Sequence, residues 1–343
     1  MNHPSRKPQV FRDSITAELA AVRSDMLQLM RSSCSPVNEA VEYVCRLSGK
    51  MLRPGLLLTI ADSGKATNVE QRRVLSVAVE ALHIATLLHD DVLDESDMRR
   101  HCPTVARLFG DRSSILLGDY FYSRAFGLMA EAGEFEALSD IVQSVSVCLQ
   151  GELCQQSNLC NFSLTMDEYM QTIEMKTAEM FSTACKLGAR VGGYSEGEVS
   201  AISDFGRQYG CGYQVIDDVL DFTGHKDRMG KPVGQDLAQG IVTLPTIFAH
   251  EKCADWPDGG KALDGQADRQ RIDKLREIVV QSDALTASLS VAEKCLDDAR
   301  HCLEPLATSA EGLVSDLTAL CDATLRHAQD AFSVRERPQT KNE

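Results

Sequence analysis

The sequence predicts an all-α protein, and three features of the chain support this prediction. No proline occurs from Thr104 to Lys231, whereas a β-sheet protein would normally place turn residues about every 8–12 positions. The same stretch is rich in Ala, Leu, Met, Glu and Gln, which are good helix formers. Apolar residues recur three or four positions apart, as in Leu75, Val79 and Leu82, and this spacing indicates helices with one apolar face.

Local signals predict where several helices begin. The segments 165–168 and 195–198 each have Thr or Ser followed three residues later by Glu, which is the spacing of a capping box. Pro54 suits the first turn of a helix that begins near Arg53, because a proline there gives up no helical hydrogen bond.

The helical pattern predicts a single large domain over residues 14–333. The segments 1–13 and 334–343 are expected to be flexible tails. The segment 251–270 contains Pro, Gly and several Asp and is expected to be an exposed loop within the domain, because helical patterning resumes after it.

Composition limits the classes of partner. In 343 residues, 35 Lys and Arg face 50 Asp and Glu, which gives a net charge of −15. Such a surface argues against nucleic acid and anionic lipid as main partners, but a phosphate ligand is still allowed if divalent cations reverse the local charge. No apolar run approaches the roughly 18 residues of a membrane span, and the N-terminus lacks the apolar region of a signal peptide. Twelve cysteines without a CxxC pair suggest reduced thiols, so a cytoplasmic location is expected.

The pentapeptide DDVLD occurs twice, 127 residues apart. The first copy runs from Asp90 to Asp94 and the second from Asp217 to Asp221. In a helix, the first and last aspartate of each copy lie one turn apart on the same face. Like charges at that spacing beside apolar residues repel each other and favour protonation. One such copy could be a solvated acidic turn, but two identical copies after apolar helices favour binding of Mg²⁺, which takes carboxylate and phosphate oxygens as ligands.

Basic residues surround both copies, as a metal-bound phosphate site would require. Arg99 and Arg100 follow the first copy, and Lys231 follows the second. Lys50 and Arg53 lie three residues apart at a predicted helix start, where backbone N–H groups also favour anions. Two turns before Asp90, His83 lies on roughly the same helix face.

Together, these residues resemble one family. The chain resembles the trans-isoprenyl diphosphate synthases, also called polyprenyl synthetases, and is most similar in character to long-chain synthases of the octaprenyl diphosphate type. The segments that carry the resemblance run in the family's order from about residue 49 to residue 246; they are GKMLRP, ALHIATLLHDDVLDESDMRR, LLGDYFYSRAF, GELCQQ, EYMQTIEMKTAEMF, GYQVIDDVLDFTG, MGKPVGQDL and GIVTLP.

The resemblance implies a fold, a reaction and partners. The fold would be a single large helical bundle around a deep central cavity, and the protein a homodimer. The reaction would join an allylic diphosphate, farnesyl or shorter, to isopentenyl diphosphate, head to tail and repeatedly. No nucleic acid and no transmembrane segment are expected, and the product would be released through transient contact with a membrane.

The resemblance also implies roles for individual residues. Asp90, Asp94, Asp217 and Asp221 would hold three Mg²⁺ ions against the allylic diphosphate, with Asp91 and Asp218 in support. Arg99, Lys176 and Lys231 would contact the same diphosphate, and the isopentenyl diphosphate would be bound by Lys50, Arg53, His83 and Arg100. Thr177 and Gln214 would place dipoles near the allylic carbocation, and the released diphosphate would take the final proton.

Product length would depend on the residues below the first aspartate cluster. Ala85 and Thr86 lie four or five residues before Asp90, and both are small. A product longer than farnesyl is therefore expected, with Met129 on the next predicted helix as the floor of the tunnel. Ala85 could also be small only because two helices pack closely there.

Two positions depart from the family pattern. Met51 stands where a second basic residue usually follows the first lysine of the family's GGKR-type segment, and Ser48 replaces the first glycine of that segment. Ile241 stands where the GKxTLP-type segment usually has lysine, so binding of the allylic diphosphate could be altered.

Three other functions would share some of these features. A class I terpene cyclase also uses DDxxD and Mg²⁺, but it needs no isopentenyl site and its second metal motif usually differs. A non-catalytic subunit of a heteromeric prenyl synthase would be expected to have lost aspartates, which this chain retains. A purely structural helical protein would not account for the paired acidic clusters.

Overall fold

The computed structural model describes residues 10–47, 49–66, 68–223, 234–253, 256–257 and 269–333. Its secondary structure is almost entirely helical, as the sequence predicts. The described residues divide into two compact units that alternate along the chain. The first unit contains residues from 1–143, 182–204 and 302–323, and the second contains residues from 144–181, 205–301 and 324–343.

The described residues up to Glu131 form six helices and one small hairpin. The helices are α1 (Asp13–Leu29), α2 (Ser35–Arg46), α3 (Leu52–Asp62), α4 (Val69–Leu93), α5 (Val105–Phe109) and α6 (Asp111–Glu131). Between α4 and α5, β1 (Met98–Arg99) pairs antiparallel with β2 (Cys102–Pro103).

The described residues from Phe135 onward continue the helical pattern. The helices are α7 (Phe135–Ser157), α8 (Met166–Ile173), α9 (Glu179–Val191), α10 (Glu196–Thr223), α11 (Gln235–Ala238), α12 (Leu244–Lys252), α13 (Arg269–Gln281), α14 (Ala284–Cys302) and α15 (Glu311–Ser333). A π-helical turn (Glu174–Ala178) joins α8 to α9.

The predicted helix starts are confirmed. The Thr165 hydroxyl oxygen accepts the Glu168 N–H, and the Glu168 carboxylate accepts the Thr165 N–H, so this capping box is complete. The Glu198 carboxylate likewise accepts the Ser195 N–H at 2.9 Å. Pro54 lies in the first turn of α3.

Helices α4 and α6 pack antiparallel in the first unit. The Ser114 hydroxyl donates to the Leu88 carbonyl oxygen at 2.8 Å, while at the opposite end of the pair the Gln71 amide donates to Glu134 at 2.8 Å. Gly118 makes room for the His89 ring, since a Cβ atom on Gly118 would lie 2.3 Å from Nε2 of His89. The C-terminal half of α4 is therefore level with the N-terminal half of α6.

The predicted exposed loop over residues 251–270 requires correction where the structure describes it. Its first residues end α12 and its last begin α13. Trp256 is buried, with its ring 5.1 Å from that of His250 and 5.5 Å from that of Phe162. The polar residues around Trp256 in the sequence suggest an exposed segment, but burial of its large apolar ring is favourable. Residues 254–255 and 258–268 lie outside the described part of the chain.

Two further findings concern the whole described chain. No helix among the described residues is long and apolar enough to cross a membrane. All twelve cysteines lie within the described part, and none of them forms a disulfide.

Candidate active site

The first aspartate cluster lies at the C-terminal end of α4. Helix α4 ends at Leu93, and the Asp94 N–H still donates to the Asp90 carbonyl oxygen at 2.8 Å. The side chains of Asp90 and Asp94 are partly buried. The C-terminal end of a helix carries roughly −0.5 charge, which adds to the repulsion between the carboxylates. This position therefore favours a bound cation.

Asp91, the middle aspartate, has a different environment. Its side chain is buried, and its Oδ1 accepts the Arg99 Nε–H at 2.7 Å. The hairpin β1–β2 carries both Arg99 and the neighbouring Arg100. Asp91 thus holds Arg99 of the hairpin beside the first aspartate cluster, and this contact fits a supporting role for Asp91.

The second cluster lies near the end of α10 and caps a short helix. Asp217 is exposed, and Asp221 is partly buried. The Asp221 carboxylate accepts the N–H groups of Gln235 and Asp236, each at 3.2 Å. The chain thus returns to Asp221 immediately after the segment that contains Lys231. Lys231 itself lies outside the described residues, so its predicted role stays a prediction.

Asp218 belongs to a series of side chains linked by hydrogen bonds, which also contains Tyr169, Gln214 and Thr177. The Tyr169 hydroxyl donates to Asp218 Oδ2 at 2.5 Å, and the Gln214 amide NH₂ donates to Asp218 Oδ1 at 2.7 Å. The Thr177 hydroxyl donates to the Gln214 Oε1 at 2.8 Å. Burial raises the pKa of Asp218 to about 7, against the lowering effect of the two hydrogen bonds.

Lys176 and Thr177 lie on the π-helical turn that interrupts helices α8 and α9. Such turns often occur at functional sites, since they redirect side chains. Gly151 of α7 allows the turn to approach closely, because a Cβ atom there would lie 2.5 Å from the Lys176 backbone nitrogen. The Lys176 ammonium forms an ion pair with Glu152 of α7 at 2.6 Å.

The donor set of the two clusters suits a hard divalent cation. Every side chain at the ends of the two DDVLD segments is a carboxylate, the ligand type that Mg²⁺ prefers. Within the described residues, no group of three or more His, Cys, Asp or Glu side chains is arranged to hold a metal. Mg²⁺ usually completes its shell with water and substrate phosphate, so each pair by itself, Asp90 with Asp94 and Asp217 with Asp221, fits an ion that binds together with a diphosphate.

The predicted basic residues meet around the segment before α3. The Arg100 guanidinium donates to the Leu47 carbonyl oxygen at 3.1 Å. It passes directly over Gly49, where a Cβ atom would lie 2.0 Å from its Nη1. Lys50 follows Gly49, and Arg53 lies in the first turn of α3. Any side chain at position 49 would collide with the Arg100 guanidinium group, so glycine is required there.

Met51, the departure from the family pattern, has a structural role. It is buried and adopts a left-handed backbone with φ of 50° at the start of α3. Its sulfur lies 3.6 Å from Nη2 of Arg23, which also contacts the Gly49 carbonyl oxygen at 3.4 Å. Helix α1 thus brings a guanidinium group to the place where the family usually has a basic side chain.

His83 and Glu80 lie one turn apart on α4, within reach of these guanidinium groups. Burial, reinforced by positive charges of which Arg53 is the first, holds the pKa of His83 well below its usual range. Burial also raises the pKa of Glu80, while Arg53, followed by Arg100 and Arg23, acts in the opposite direction. His83 is therefore neutral at pH 7, and the pKa of Glu80 lies above its usual range because burial outweighs the neighbouring positive charges.

Ala85, Thr86 and Met129 are the residues predicted to control product length. They lie at different distances from the first aspartate cluster along the axes of α4 and α6. Ala85 is fully buried on α4, and the Thr86 hydroxyl donates to the His83 carbonyl oxygen at 2.8 Å. Met129 is fully buried on α6. In the antiparallel register of α4 and α6, Met129 is level with the region of Leu75, about 15 Å from Ala85 along the helix axis.

Ile241, the second departure, follows α11 closely. Its N–H donates to the Asp236 carbonyl oxygen at 2.8 Å, and its side chain is partly exposed. The backbone of Ile241 is thus held next to α11, the short helix that Asp221 caps. The structure supplies an aliphatic side chain where the family usually has a cation.

Sequence reasoning missed four residues that the structure brings to these groups. They are Arg23, Glu80, Glu152 and Tyr169. The quoted segments GELCQQ and EYMQTIEMKTAEMF already contain Glu152 and Tyr169, so their position in a motif was an available signal. No comparable signal marks Arg23, which belongs to a helix with no recognised motif.

An all-α fold with an aspartate cluster near the end of each of two helices, and with several arginines around Gly49, is typical of an isoprenoid synthase. The chain belongs to the polyprenyl synthetase family, whose model matches residues 35–279. It is accordingly a prenyltransferase.

Curated relatives and solved structures agree with this assignment. The chain is 32% identical to heptaprenyl diphosphate synthase component 2 of Geobacillus stearothermophilus, over 88% of this chain and 94% of that protein. It is 35% identical to octaprenyl diphosphate synthase of Escherichia coli, over 69% of this chain and 73% of that protein. The crystal structure of a polyprenyl synthase from Caulobacter crescentus, complexed with calcium and isoprenyl diphosphate, superposes with a TM-score of 0.85 at 30% identity, covering 94% of this chain and 99% of that one.

We expect His83 to stay neutral at pH values where a histidine in an unstructured peptide takes up a proton, near pH 6.5. Its side-chain NMR signals in histidine-labelled protein should not shift between pH 6 and 8, and His83→Gln identifies those signals. The unfolded chain takes up this proton and the folded chain does not, so His83 lowers the free energy of unfolding only as the pH falls below about 6.5. A signal from His83 that titrates near pH 6.5 would contradict its burial among cations.

Proposed function

We propose that the protein is a Mg²⁺-dependent, chain-elongating prenyltransferase. It condenses an allylic diphosphate with isopentenyl diphosphate, head to tail, and forms a long-chain all-trans polyprenyl diphosphate. The observation that carries this proposal is the basic cluster around Gly49 and Arg53, present in addition to the two aspartate clusters. A terpene cyclase, which uses one diphosphate substrate, would not need this second set of cations.

Each group of residues then has a distinct task. Asp90, Asp94, Asp217 and Asp221 hold Mg²⁺ and the allylic diphosphate, together with Arg99, Lys176 and Lys231. When bound, Mg²⁺ neutralises charge that develops on the departing diphosphate. The isopentenyl diphosphate binds to Lys50, Arg53 and Arg100, with His83 as a neutral hydrogen-bonding partner.

Bond formation follows from these positions. The allylic C–O bond breaks, and its electron pair leaves with the diphosphate, where the cationic side chains stabilise the charge. The isopentenyl double bond, held nearby, attacks the allylic carbocation. The Thr177 oxygen presents lone pairs towards the cation, and the released diphosphate accepts the proton that is lost.

The relatives support a long product. Two of them are named as octaprenyl and heptaprenyl diphosphate synthases, and a solved relative binds a divalent cation with an isoprenyl diphosphate. A buried Ala85 below the first cluster fits such a product, because an aromatic side chain there would fill space that the growing chain needs.

Product analysis tests the proposed function. We expect the purified chain, given Mg²⁺, labelled isopentenyl diphosphate and farnesyl diphosphate, to form a ladder of products that ends beyond geranylgeranyl. Addition of a chelator should abolish incorporation, and excess Mg²⁺ should restore it.

The outcomes separate the alternatives. Conversion of the allylic diphosphate alone, without isopentenyl incorporation, would indicate a cyclase or a hydrolase. A folded chain with no turnover would indicate that a second component is required, since one relative is named as a component of its enzyme. Activity that survives complete removal of divalent cations would contradict the proposed role of the aspartates.

Chain length should respond in a graded manner to substitutions on one face of α4. Ala81 and Ala85 are both fully buried and lie about 6 Å apart along the helix. We expect Ala85→Phe to shorten the final product, and Ala81→Phe to shorten it less, because the block lies one turn deeper. Thermal unfolding of each variant controls for overpacking, which typically costs about 1–3 kcal/mol. An unchanged product from Ala85→Phe would place the tunnel elsewhere.

We infer that the protein forms a homodimer through one face of α7. Four large apolar side chains on this face are exposed, namely Phe135 (67%), Val142 (47%), Leu149 (50%) and Leu153 (70%). Their spacing of seven, seven and four residues places them on one stripe. An apolar stripe of this kind suits packing against another helix, and a second copy of the chain can supply the same stripe.

Substitution of the stripe tests this inference. We expect Leu153→Glu to convert the dimer to a monomer, as measured by size-exclusion chromatography with light scattering, because a charge in an apolar helix interface is costly. Leu108→Glu is the matched control, since Leu108 is also exposed (49%) but lies on α5. A wild-type chain that is monomeric at micromolar concentration would contradict the inference.

A further inference from the structure

Tyr169 is a buried side chain to which the proposed mechanism gives no task. It lies on α8, seven residues before Lys176, and its hydroxyl donates to Asp218 Oδ2 at 2.5 Å. Desolvation, followed by the charge of Asp218, holds the pKa of Tyr169 well above its usual range. The phenol therefore keeps its proton and acts as a donor.

The direction of each hydrogen bond in this chain can be assigned. The Gln214 NH₂ group can only donate and its Oε1 can only accept, and the NH₂ nitrogen lies 2.7 Å from Asp218 Oδ1 while the Tyr169 hydroxyl donates to Asp218 Oδ2. The NH₂ group of Gln214 then faces Asp218, so its carbonyl oxygen faces Thr177. The Thr177 hydroxyl must donate to that oxygen, at 2.8 Å. Its proton is committed, and only lone pairs remain at the Thr177 oxygen.

We propose that Tyr169 is a positioning residue that, through Asp218 and Gln214, fixes the Thr177 hydroxyl in the orientation that presents its lone pairs to the allylic carbocation. Tyr169 does not touch substrate in this arrangement. It holds Asp218 in place so that the carboxylate can hold the Gln214 amide. The proposal rests on the proposed prenyl transfer, because it assigns the orientation of a group next to the reacting carbon.

The alternative orientation shows why such a device is needed. A rotated Gln214 amide would turn its NH₂ group towards Thr177, and the threonine hydroxyl would then accept rather than donate. The O–H hydrogen would then be free to turn towards the carbocation, which is unfavourable for a developing positive charge. An Asp218 that shifts from its place would permit this rotation, since Gln214 would lose the acceptor that sets its direction.

The first test is Tyr169→Phe, which removes one donor and keeps the ring. We expect kcat, or the rate of the chemical step in a single turnover, to fall about 10- to 100-fold. The KM values for isopentenyl diphosphate and for farnesyl diphosphate should change less than about twofold, because no diphosphate contact is lost. Tyr209→Phe is the matched control, since it removes a buried hydroxyl that lies 3.0 Å from Thr324 Oγ1 in the same unit and should leave kcat unchanged.

A double-mutant comparison gives the second test. Thr177→Val keeps the shape of the side chain without the hydroxyl, and we expect it to lower kcat at least as much as Tyr169→Phe does. If Tyr169 acts only through Thr177, the double variant should lose no more activity than Thr177→Val alone. Losses that multiply would show that Tyr169 acts by another route, and would overturn the proposal.

Other outcomes are equally decisive. A Tyr169→Phe enzyme with normal kcat would overturn the positioning role, and so would a rise in KM at unchanged kcat. A thermal midpoint that falls equally in Tyr169→Phe and Tyr209→Phe, with kcat lowered only in the former, would separate positioning from stability. Failure of the proposed function is distinguishable from all of these, because it would appear in the wild-type chain as an absence of isopentenyl incorporation.

Discussion

The site depends on one electrostatic constraint, namely that like charges are held close together in partly apolar surroundings. Each aspartate cluster lies near the C-terminal end of a helix, where the helix dipole adds negative charge. The middle aspartate of each cluster is stabilised by a hydrogen-bond donor. The donor is the cationic Arg99 for Asp91 and the neutral Tyr169 for Asp218. The remaining aspartates retain an environment that favours divalent cations. The opposite problem arises among the guanidinium groups near Gly49, where burial and the positive charges hold the pKa of His83 well below its usual range and keep the imidazole neutral.

Close backbone approach is the second requirement of this arrangement. Arg100 can reach the Leu47 carbonyl oxygen only across a residue without a Cβ atom, and Gly49 is that residue. Gly151 has the same function for the π-helical turn that carries Lys176. Both glycines belong to segments that the family resemblance includes, so part of the family motif records packing against functional side chains rather than contact with substrate.

The types of functional residue could be predicted because their spacing is local. DDVLD within a helix places two carboxylates on one face whatever surrounds it, and the proline-free stretch with its capping residues predicts helices correctly. The partners of those residues could not be predicted in the same way. Arg23 reaches the basic cluster from α1, and Glu152 reaches Lys176 from α7. Such contacts join residues far apart in sequence, so no local periodicity indicates them.

By itself, the sequence determined the all-α class, the two carboxylate clusters, the neighbouring cations and the family, because helix periodicity and short motifs are properties of consecutive residues. The family resemblance assigned Asp91 and Asp218 a supporting role, but only the tertiary structure showed that they are buried and that Arg99 and Tyr169 are their partners. The tertiary structure also decided the direction of the hydrogen bonds from Thr177 to Tyr169 and the different depths of Ala85 and Met129. These features depend on which helices pack together, and burial and packing partners are set by the folded chain as a whole.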